Sequence, residues 1–296
     1  MGKANCFSTK VDVGLKDKLI ADLESQGFEI SQPPHTLFSA KKPGVSCTLY
    51  ASGSLTVQGK EMDPFIEFYL EPEILKTFRF SHPETDLNLT PHIGLDEAGK
   101  GDFFGPLCIA GVYADKEGIL QLHKMGVKDS KRFSDDAIIK LSKKIKEQYS
   151  FTVIRLFPSK YNELYTKFKN LNRLLGWAHT AALGDLHQKT GCSEALLDQF
   201  ANPALVDSFV KQKKLPVHLV QKTHGEDDLV VAAASILARA GFVEGIDSLS
   251  AEFGITLPKG ASNLVTQTAH KFAEKFGKSE LGKVAKMHFK TMDPFR

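Results

Sequence analysis

The stretch that most constrains this chain is residues 93–106, where an apolar run ends in two adjacent acids, Asp96 and Glu97, and turns into a glycine-rich loop around Lys100. Such a run predicts a buried strand whose end presents both carboxylates. Carboxylates crowded at a buried strand end repel each other unless protons or a metal ion neutralise them. The stretch therefore indicates an enzyme.

Composition sets wide limits on the rest. The 296 residues are 42% hydrophobic and 25% charged, which is typical of a soluble globular chain with one large or two smaller domains. A net charge of +3 is too small to indicate nucleic-acid binding by itself. Acids slightly outnumber bases in residues 1–85, so the positive charge lies in the remainder and is densest in the last 38 residues.

The four cysteines are scattered and form no CxxC pair, so they give neither a zinc spacing nor a disulfide framework. The N-terminus has no apolar core of a signal peptide, and Cys6 stands where a myristoylation signal needs Ser or Thr. The most apolar run, residues 229–238, is too short to span a bilayer. We expect a cytoplasmic protein that does not associate with membranes.

Residues 1–82 predict a small α+β domain. Apolar positions from Leu15 to Leu23 form a helical stripe that stops before Gly27, and short strands follow at 36–40, 46–50 and 54–58 with a hairpin turn at 51–53. Residues 65–70 fit either a further strand or a short helix. Periodicity is lost over residues 77–91, which predicts a linker with a domain boundary near residue 83.

Residues 83–296 alternate strands with helices, which predicts a mixed α/β domain around a central sheet. We expect Ser134 to cap a helix whose first turn holds two acids. The other predicted elements are strands at 92–96, 107–114, 151–157, 195–198 and 218–221, helices at about 170–189 and 227–245, and one or two basic helices from residue 263 onward.

A second apolar strand, residues 195–197, ends in Asp198. Because ligand-binding groups in α/β sheets gather at strand ends, Asp198 and the pair Asp96–Glu97 can meet despite their separation in sequence. Three carboxylates supply hard oxygen ligands, which suit Mg²⁺ or Mn²⁺ better than zinc. The alternative is structural: the pair caps a turn and Asp198 caps a helix.

A nucleotide-binding loop is excluded. Residues 94–101 approach the Walker A pattern, but Gly101 occupies the place of the Ser or Thr that holds magnesium. Asp96 and Glu97 also lie inside the loop that would have to cradle phosphate.

Several segments together resemble one family, the ribonuclease HIII branch of the prokaryotic type 2 ribonucleases H. Residues 94–106 are similar to the signature of that family, and the resemblance extends over essentially the whole chain. The other matching segments are Lys128-Asp129-Ser130-Lys131, Asn170-Leu171-Asn172 with Leu174, Leu175 and His179, Asp198-Gln199-Phe200-Ala201, Ala232-Ala233-Ala234-Ser235-Ile236, and in the first domain Tyr50-Ala51-Ser52-Gly53 and Gln58-Gly59.

The resemblance implies an RNase H-like fold with an N-terminal TATA-binding-protein-like domain, and cleavage of RNA in RNA/DNA hybrids. It implies an Asp-Glu-Asp-Glu active site, whose first three members map onto Asp96, Glu97 and Asp198. The fourth falls on Asn202, a departure that removes one negative charge. We expect Asn202 to occupy the site without acting as a strong ligand. An acid among Glu226, Asp227 and Asp228 is the alternative, although acids are also favoured at a helix N-terminus.

Two segments are candidates for substrate binding. Gly99 and Gly101 expose the backbone on either side of Lys100, which allows close contact with 2′-hydroxyl groups and phosphate. The three residues Lys128, Ser130 and Lys131 are candidates for phosphate binding. The alternatives are a tight turn for the glycines and a solvated loop for the second segment.

Weaker candidates lie elsewhere. His179 and His224 can assist product release near an acidic metal site, but a packing or surface role is the simpler expectation for both. Trp177 is expected in the core. The basic stretch 271–290, with aromatic residues interleaved, fits either a grip on the DNA strand or an amphipathic helix with a solvated face.

Together with the residues above, the resemblance implies a Mg²⁺- or Mn²⁺-dependent ribonuclease H that leaves 3′-hydroxyl and 5′-phosphate ends on the RNA. We expect it to act as a monomer and to use its N-terminal domain to hold the duplex. Two alternatives stay open. One is ribonuclease HII-like incision at single ribonucleotides in DNA. The other is a non-catalytic hybrid-binding module, an alternative motivated by the Asn202 departure.

Overall fold

The computed structural model describes residues 6–77, 80–81, 87–128 and 130–295. The chain divides into two compact units, residues 1–86 and residues 87–296. The boundary predicted near residue 83 lies outside the described residues.

The first unit is a five-stranded antiparallel sheet with helices packed on one face. Its strand order is β1-β5-β4-β3-β2. The elements are β1 (Cys6–Lys10), α1 (Lys16–Ser25), β2 (Glu29–Ser31), β3 (Thr36–Lys42), β4 (Val45–Tyr50), β5 (Ser54–Gln58), α2 (Met62–Phe65) and a π-helical segment Ile66–Leu75. The predicted helix, its stop before Gly27 and the three predicted strands are confirmed, whereas β1 and β2 are short strands that the sequence pattern did not reveal.

Residues 65–70 are helical, which decides between the two predicted alternatives. The π-helical segment runs through Pro72 and buries Ile66 and Leu70 completely in the core of this unit. A wider helix of this kind tolerates a proline, since it already departs from the regular α-helical hydrogen-bond ladder.

The second unit is a mixed five-stranded sheet covered by helices, with strand order β10-β9-β6-β7-β8. Its strands are β6 (His92–Ala98), β7 (Leu107–Ala114), β8 (Ser150–Leu156), β9 (Glu194–Asp198) and β10 (His218–Lys222). Its helices are α3 (Lys116–Lys124), α4 (Asp135–Gln148), α5 (Pro158–Phe168), α6 (Leu171–Thr190), α7 (Pro203–Gln212), α8 (Leu229–Phe253) and α9 (Asn263–Phe276). All five predicted strands are confirmed, as is the cap of α4, where Ser134 Oγ accepts the backbone N–H of Ala137.

Helix α8 packs directly against the central strand β6. A Cβ atom at Gly94 would collide with the backbone of Val230 and Val231, so glycine is required for the helix to approach this closely. The alanines at 232, 233 and 234 are also fully buried, because α8 is covered on more than one side. The contact at Gly94 places the first half of α8 beside the strand that carries Asp96.

Helix α8 is longer than the predicted 227–245 helix and longer than the apolar run 229–238. By length and composition alone, Leu229–Phe253 is long and apolar enough to cross a membrane. However, 83% of its apolar window is buried inside the protein, as in the core helix of a soluble domain.

The basic C-terminal stretch does not form one solvated amphipathic helix. After α9 the described chain continues in short 3₁₀ turns, Lys278–Lys283 and Lys290–Phe295. Between them Lys286 is fully buried, and its Nζ donates to the carbonyl oxygens of Asp102 and Gly105, each at 2.8 Å. At least this lysine serves the glycine loop from inside and is not available to grip DNA.

Candidate active site

Two strand ends form the centre of the site. Strands β6 and β9 are adjacent and parallel, and Leu95 pairs with Leu197 in their register. The next residues along the two strands are Asp96 and Asp198, so both carboxylates emerge at the same edge of the sheet. The expected meeting of these two acids at neighbouring strand ends is therefore present in the structure.

Asp96 is buried, with 8% of its surface exposed. Burial, followed by the charge of Glu97, raises the pKa of Asp96 to about 8, although the hydroxyl of Ser235 and the backbone N–H of Glu97 act in the opposite direction. The Glu97 N–H donates to Asp96 Oδ1 at 2.7 Å. A carboxylate in this position gains from any cation that compensates its charge.

Glu97 is held by two basic side chains. His179 Nε2 lies 3.0 Å from Glu97 Oε2, and Lys100 Nζ lies 3.6 Å from Oε1. His179 is fully buried on α6 and stacks on Phe200 with ring centroids 5.2 Å apart. His179 thus combines the packing role expected from the sequence with direct contact to a site carboxylate.

Asp198 faces a fourth acid, Glu226. The backbone N–H of Gly225 donates to Asp198 Oδ1 at 2.8 Å, which fixes the turn that carries Glu226. Burial raises the pKa of Asp198, and the charges of Glu226 and Glu97 add to this effect. The pKa of Glu226 is lowered, first by its own backbone N–H and then by the charge of Lys131.

The four acids line one cavity of about 430 Å³. Its charged lining consists of five acids and four bases. The fifth acid, Asp102, accepts the N–H of Gly260 through Oδ1. The other acids are Asp96, Glu97, Asp198 and Glu226, and the bases are Lys100, Lys131, Arg239 and Lys259. A cavity with both groups fits a phosphodiester and the cations that accompany it.

Asn202 is not part of this group in the structure, and its role in the site stays a prediction. Its side chain is exposed and caps α7, with Asn202 Oδ1 accepting the N–H of Ala204 at 3.0 Å. It is not among the described residues that line the cavity. Proline at the first position of α7 favours a capping residue immediately before it, so the local sequence already explains the asparagine.

The three candidate acids at 226–228 have different environments. Glu226 lines the cavity, whereas Asp227 is exposed. Asp228 caps α8 through Val230 and Val231 and lies 2.9 Å from His92 Nε2. Nearby, the side chain of His224 is 82% exposed, and its Nδ1 lies 4.0 Å from Glu226 Oε1, beyond hydrogen-bond distance.

The two loop glycines have different structural requirements. Gly99 has φ +85°, and a Cβ there would collide with the carbonyl oxygen of Pro106, so the fold itself needs glycine. At Gly101 a Cβ would meet nothing within 4 Å. Both line the cavity with Lys100. Packing within the protein requires glycine at position 99 but not at position 101.

The second substrate-binding candidate segment is partly in the cavity. Ser130 and Lys131 line it, Lys128 is not among the described lining residues, and Asp129 lies outside the described residues. Ser130 is 4% exposed and its hydroxyl lies 2.9 Å from that of Ser235, so it supports the loop from within. Lys131 Nζ lies 3.4 Å from Glu226 Oε1.

The donor set fits a hard divalent cation. Carboxylate oxygens from four side chains face one cavity. Burial and neighbouring carboxylates raise the pKa values of Asp96 and Asp198, so a bound cation would favour their ionised forms. No group of three or more His, Cys, Asp or Glu side chains within the described residues is already arranged to hold a metal ion. Side-chain movement is therefore needed for these acids to share one.

The mixed sheet covered by helices, with carboxylates at adjacent strand ends, is an RNase H-like fold. Residues 93–292 match the family model described as Ribonuclease HII, and residues 9–81 match a domain of unknown function, DUF3378. These two matches fall one on each unit of the structure.

Similarity to individual proteins extends over nearly the full length. Ribonuclease HIII of Protochlamydia amoebophila is 51% identical over 97% of this chain and 95% of its own. Bst-RNase HIII in complex with Mn²⁺ is 27% identical with a TM-score of 0.68, covering 97% of each chain. Aquifex aeolicus RNase H3 is 27% identical with a TM-score of 0.58, covering 96% of this chain and all of that one. The chain belongs to the ribonuclease HIII family, and its activity is that of a ribonuclease H.

Proposed function

We propose that this protein hydrolyses the RNA strand of RNA/DNA hybrids with Asp96, Glu97, Asp198 and Glu226 as the ligands of one or two Mg²⁺ or Mn²⁺ ions. The observation that carries the proposal is the convergence of these four acids on one cavity from two strand ends and the turn beside them. When bound, the ions supply Lewis acidity for the attacking water and the leaving oxygen.

The protein's own residues position these ligands. Ser235 and the N–H of Glu97 donate to Asp96, His179 and Lys100 hold Glu97, and Gly225 holds Asp198. Donors around each carboxylate limit its rotation, so the oxygens stay directed toward the cavity. His179 Nε2 at Glu97 is the best-buried of these supports.

The reaction needs no covalent protein intermediate. Water attacks a phosphorus atom of the RNA strand, and the bond from phosphorus to O3′ breaks. The leaving O3′ takes up a proton, which gives a 3′-hydroxyl, and the water oxygen remains on the 5′-phosphate. Lys100 and Lys131 lie among the acids, where their charges can stabilise phosphate oxygens of the substrate. The free space at Gly101 supports close approach of a ribose 2′-hydroxyl to the backbone.

The N-terminal unit supplies a second surface for nucleic acid. Along β4 and β5 the buried residues Cys47, Leu49, Leu55 and Val57 alternate with partly exposed hydroxyl residues. Thr48 pairs with Thr56 in the strand register, so hydroxyl groups from neighbouring strands share the face opposite the helices. We propose that this face contacts the duplex backbone by shape and hydrogen bonding, and that the protein acts as a cytoplasmic monomer.

The deciding experiment compares two duplexes in Mn²⁺ and in EDTA, one a hybrid with four consecutive ribonucleotides and one with a single ribonucleotide in DNA. We expect cleavage of the first in Mn²⁺ alone, with 5′-phosphate products. Cleavage restricted to the single ribonucleotide would assign ribonuclease HII-like specificity instead. Binding of the hybrid without cleavage in any divalent metal would identify a non-catalytic module.

A further inference from the structure

Two cations in the cavity have no part in the mechanism above. Arg239 lies on the cavity side of α8, and Lys259 lies in the loop that follows this helix. Their side chains are 28% and 41% exposed, so solvent and ligands reach both. Neither contacts any of the four acids in the recorded ion pairs of the described residues.

Both cations instead share one carboxylate, Asp135, in the first turn of α4. Arg239 Nη2 lies 3.2 Å from Asp135 Oδ1, and Lys259 Nζ contacts Oδ2. The hydrogen bond from Lys259, together with Arg239, lowers the pKa of Asp135. Two positive charges meet one negative charge, so the group of three carries a net charge of +1.

The two cations are fixed relative to the catalytic loop. Arg239 Nη1 donates to the carbonyl oxygen of Ser130 at 2.7 Å, which holds the planar guanidinium in place. The residue after Lys259, Gly260, donates its N–H to Asp102 Oδ1 at 2.6 Å, and its carbonyl accepts the N–H of Phe103. The cation pair is therefore preorganised beside the glycine loop before any ligand arrives.

We propose that Arg239 and Lys259 form a binding site for a backbone phosphate of the nucleic-acid strand that enters the cavity. When no phosphate is present, Asp135 forms ion pairs with both cations in its place. The inference rests on the proposed function, because it extends the same cavity. A phosphate oxygen can replace a carboxylate oxygen on Arg and Lys without leaving either cation unpaired. Asp135 then competes with the substrate and weakens binding.

The test is the salt dependence of hybrid binding in EDTA, which separates binding from cleavage. For Lys259→Met we expect weaker binding and a slope of log K against log salt that is smaller by about 0.7–0.9, the change for one lost phosphate contact. For Asp135→Asn we expect binding roughly threefold tighter, because a competing charge is removed.

The chain offers a matched control. On α5, Glu163 pairs with Lys160 and Lys167, each at 2.7 Å, which repeats the arrangement of one acid between two cations on an exposed surface. None of the three is among the described residues lining the cavity. We expect Lys167→Met and Glu163→Gln to bind the hybrid as the wild type does, with an unchanged salt slope.

Each outcome is decisive. An unchanged slope in Lys259→Met, or equal effects of Asp135→Asn and Glu163→Gln, would overturn the proposal in favour of a structural ion pair or a general charge effect. The proposed function is judged separately by cleavage of the hybrid in Mn²⁺ by the wild type, which does not depend on these variants.

Discussion

Asp96 and Asp198 occupy equivalent positions at the ends of two adjacent parallel strands, although about a hundred residues separate them in the chain. The pairing of Leu95 with Leu197 fixes this relationship through the backbone, so it does not depend on side-chain rotamers. Both carboxyl groups have raised pKa values, with burial as the largest cause. The strand register therefore brings together two carboxyl groups whose ionised forms are disfavoured at this edge of the sheet unless a cation compensates their charge.

The assignment of the fourth acid predicts opposite results for Glu226 and Asn202. Glu226→Gln removes a carboxylate from the cavity, and we expect at least a tenfold lower cleavage rate in Mn²⁺ with little change in thermal stability. Asn202→Ala removes the cap of α7, and we expect a loss of about 1 kcal/mol of unfolding free energy with cleavage retained. Cleavage assays and urea unfolding on both variants provide the measurements.

The reverse pattern, with normal activity in Glu226→Gln and lost activity in a folded Asn202→Ala, would restore Asn202 to the site. Asp227→Asn is the control for a nearby charge, since this acid is exposed beside Glu226.

The glycine loop predicts a separation of stability from substrate binding. Gly99→Ala places a Cβ against the carbonyl of Pro106 at φ +85°, and we expect a loss of about 1–3 kcal/mol of unfolding free energy. Gly101→Ala meets no protein atom within 4 Å, so we expect normal stability but weaker binding of the hybrid. Thermal unfolding and hybrid binding in EDTA measure the two effects. If Gly101→Ala binds the hybrid as tightly as the wild type, the backbone at this position does not contact the substrate.

The pair His92–Asp228 predicts a pH-dependent contribution to stability. Burial lowers the pKa of His92, but the hydrogen bond and charge of Asp228 outweigh it and raise the pKa above its ordinary value of 6.5. A raised folded-state pKa stabilises the protein fully below about pH 6.5, and this contribution is lost as the pH rises through the folded value. We expect His92→Gln to lose more unfolding free energy at about pH 6 than at about pH 9.

The exposed pair His218–Glu194, with Nδ1 and Oε2 2.8 Å apart, is the matched control for this measurement. His218→Gln should change stability little at either pH, because a surface ion pair contributes little. An equal effect of His92→Gln at both pH values would show that protonation of His92 beside Asp228 does not contribute to stability.

Buried Lys286 predicts a dependence of the opposite sign. Burial lowers its pKa to about 7, against an ordinary 10.5. Between these values the unfolded chain binds a proton that the folded protein does not, so the contribution of Lys286 to stability increases with pH. Lys286→Met leaves the carbonyls of Asp102 and Gly105 without this donor, and we expect a loss of about 1–3 kcal/mol that grows toward high pH.

Unfolding free energies at about pH 7 and about pH 10 measure this difference, with the exposed Lys290→Met as the control. A loss for Lys286→Met that shrinks toward high pH would show that the lysine stays protonated in the folded protein.

The sequence predicts the parts of the site that local pattern determines. An apolar run followed by an acid marks both Asp96 and Asp198, and the glycines mark the adjoining turn, because strand burial and turn geometry leave a short-range signal. The cap at Ser134 follows from the same local chemistry. The alternation of strands and helices is sufficient to predict a mixed α/β unit.

Tertiary contacts leave no such signal. Glu226 enters the cavity because the N–H of Gly225 binds Asp198, a contact between residues far apart in the chain. The family resemblance implies Asn202 at this place and leaves Glu226 only as one of three alternatives. In the sequence Lys286 looks like any surface lysine of a basic stretch. Its burial follows only from its contact with the packed loop 102–105. Arg239 lies within an apolar helix where the sequence gives no reason to expect a cavity.

The most direct test of the central claim is cleavage of an RNA/DNA hybrid by the wild type and by Asp198→Asn, with binding in EDTA and Mn²⁺-induced thermal stabilisation measured on the same samples. We predict cleavage by the wild type in Mn²⁺, at least a 10³-fold lower rate (an order-of-magnitude estimate) for Asp198→Asn, retained hybrid binding, and a smaller thermal shift on adding Mn²⁺. Cleavage by Asp198→Asn at the wild-type rate, with an unchanged thermal shift, would contradict the assignment of these acids as the metal site.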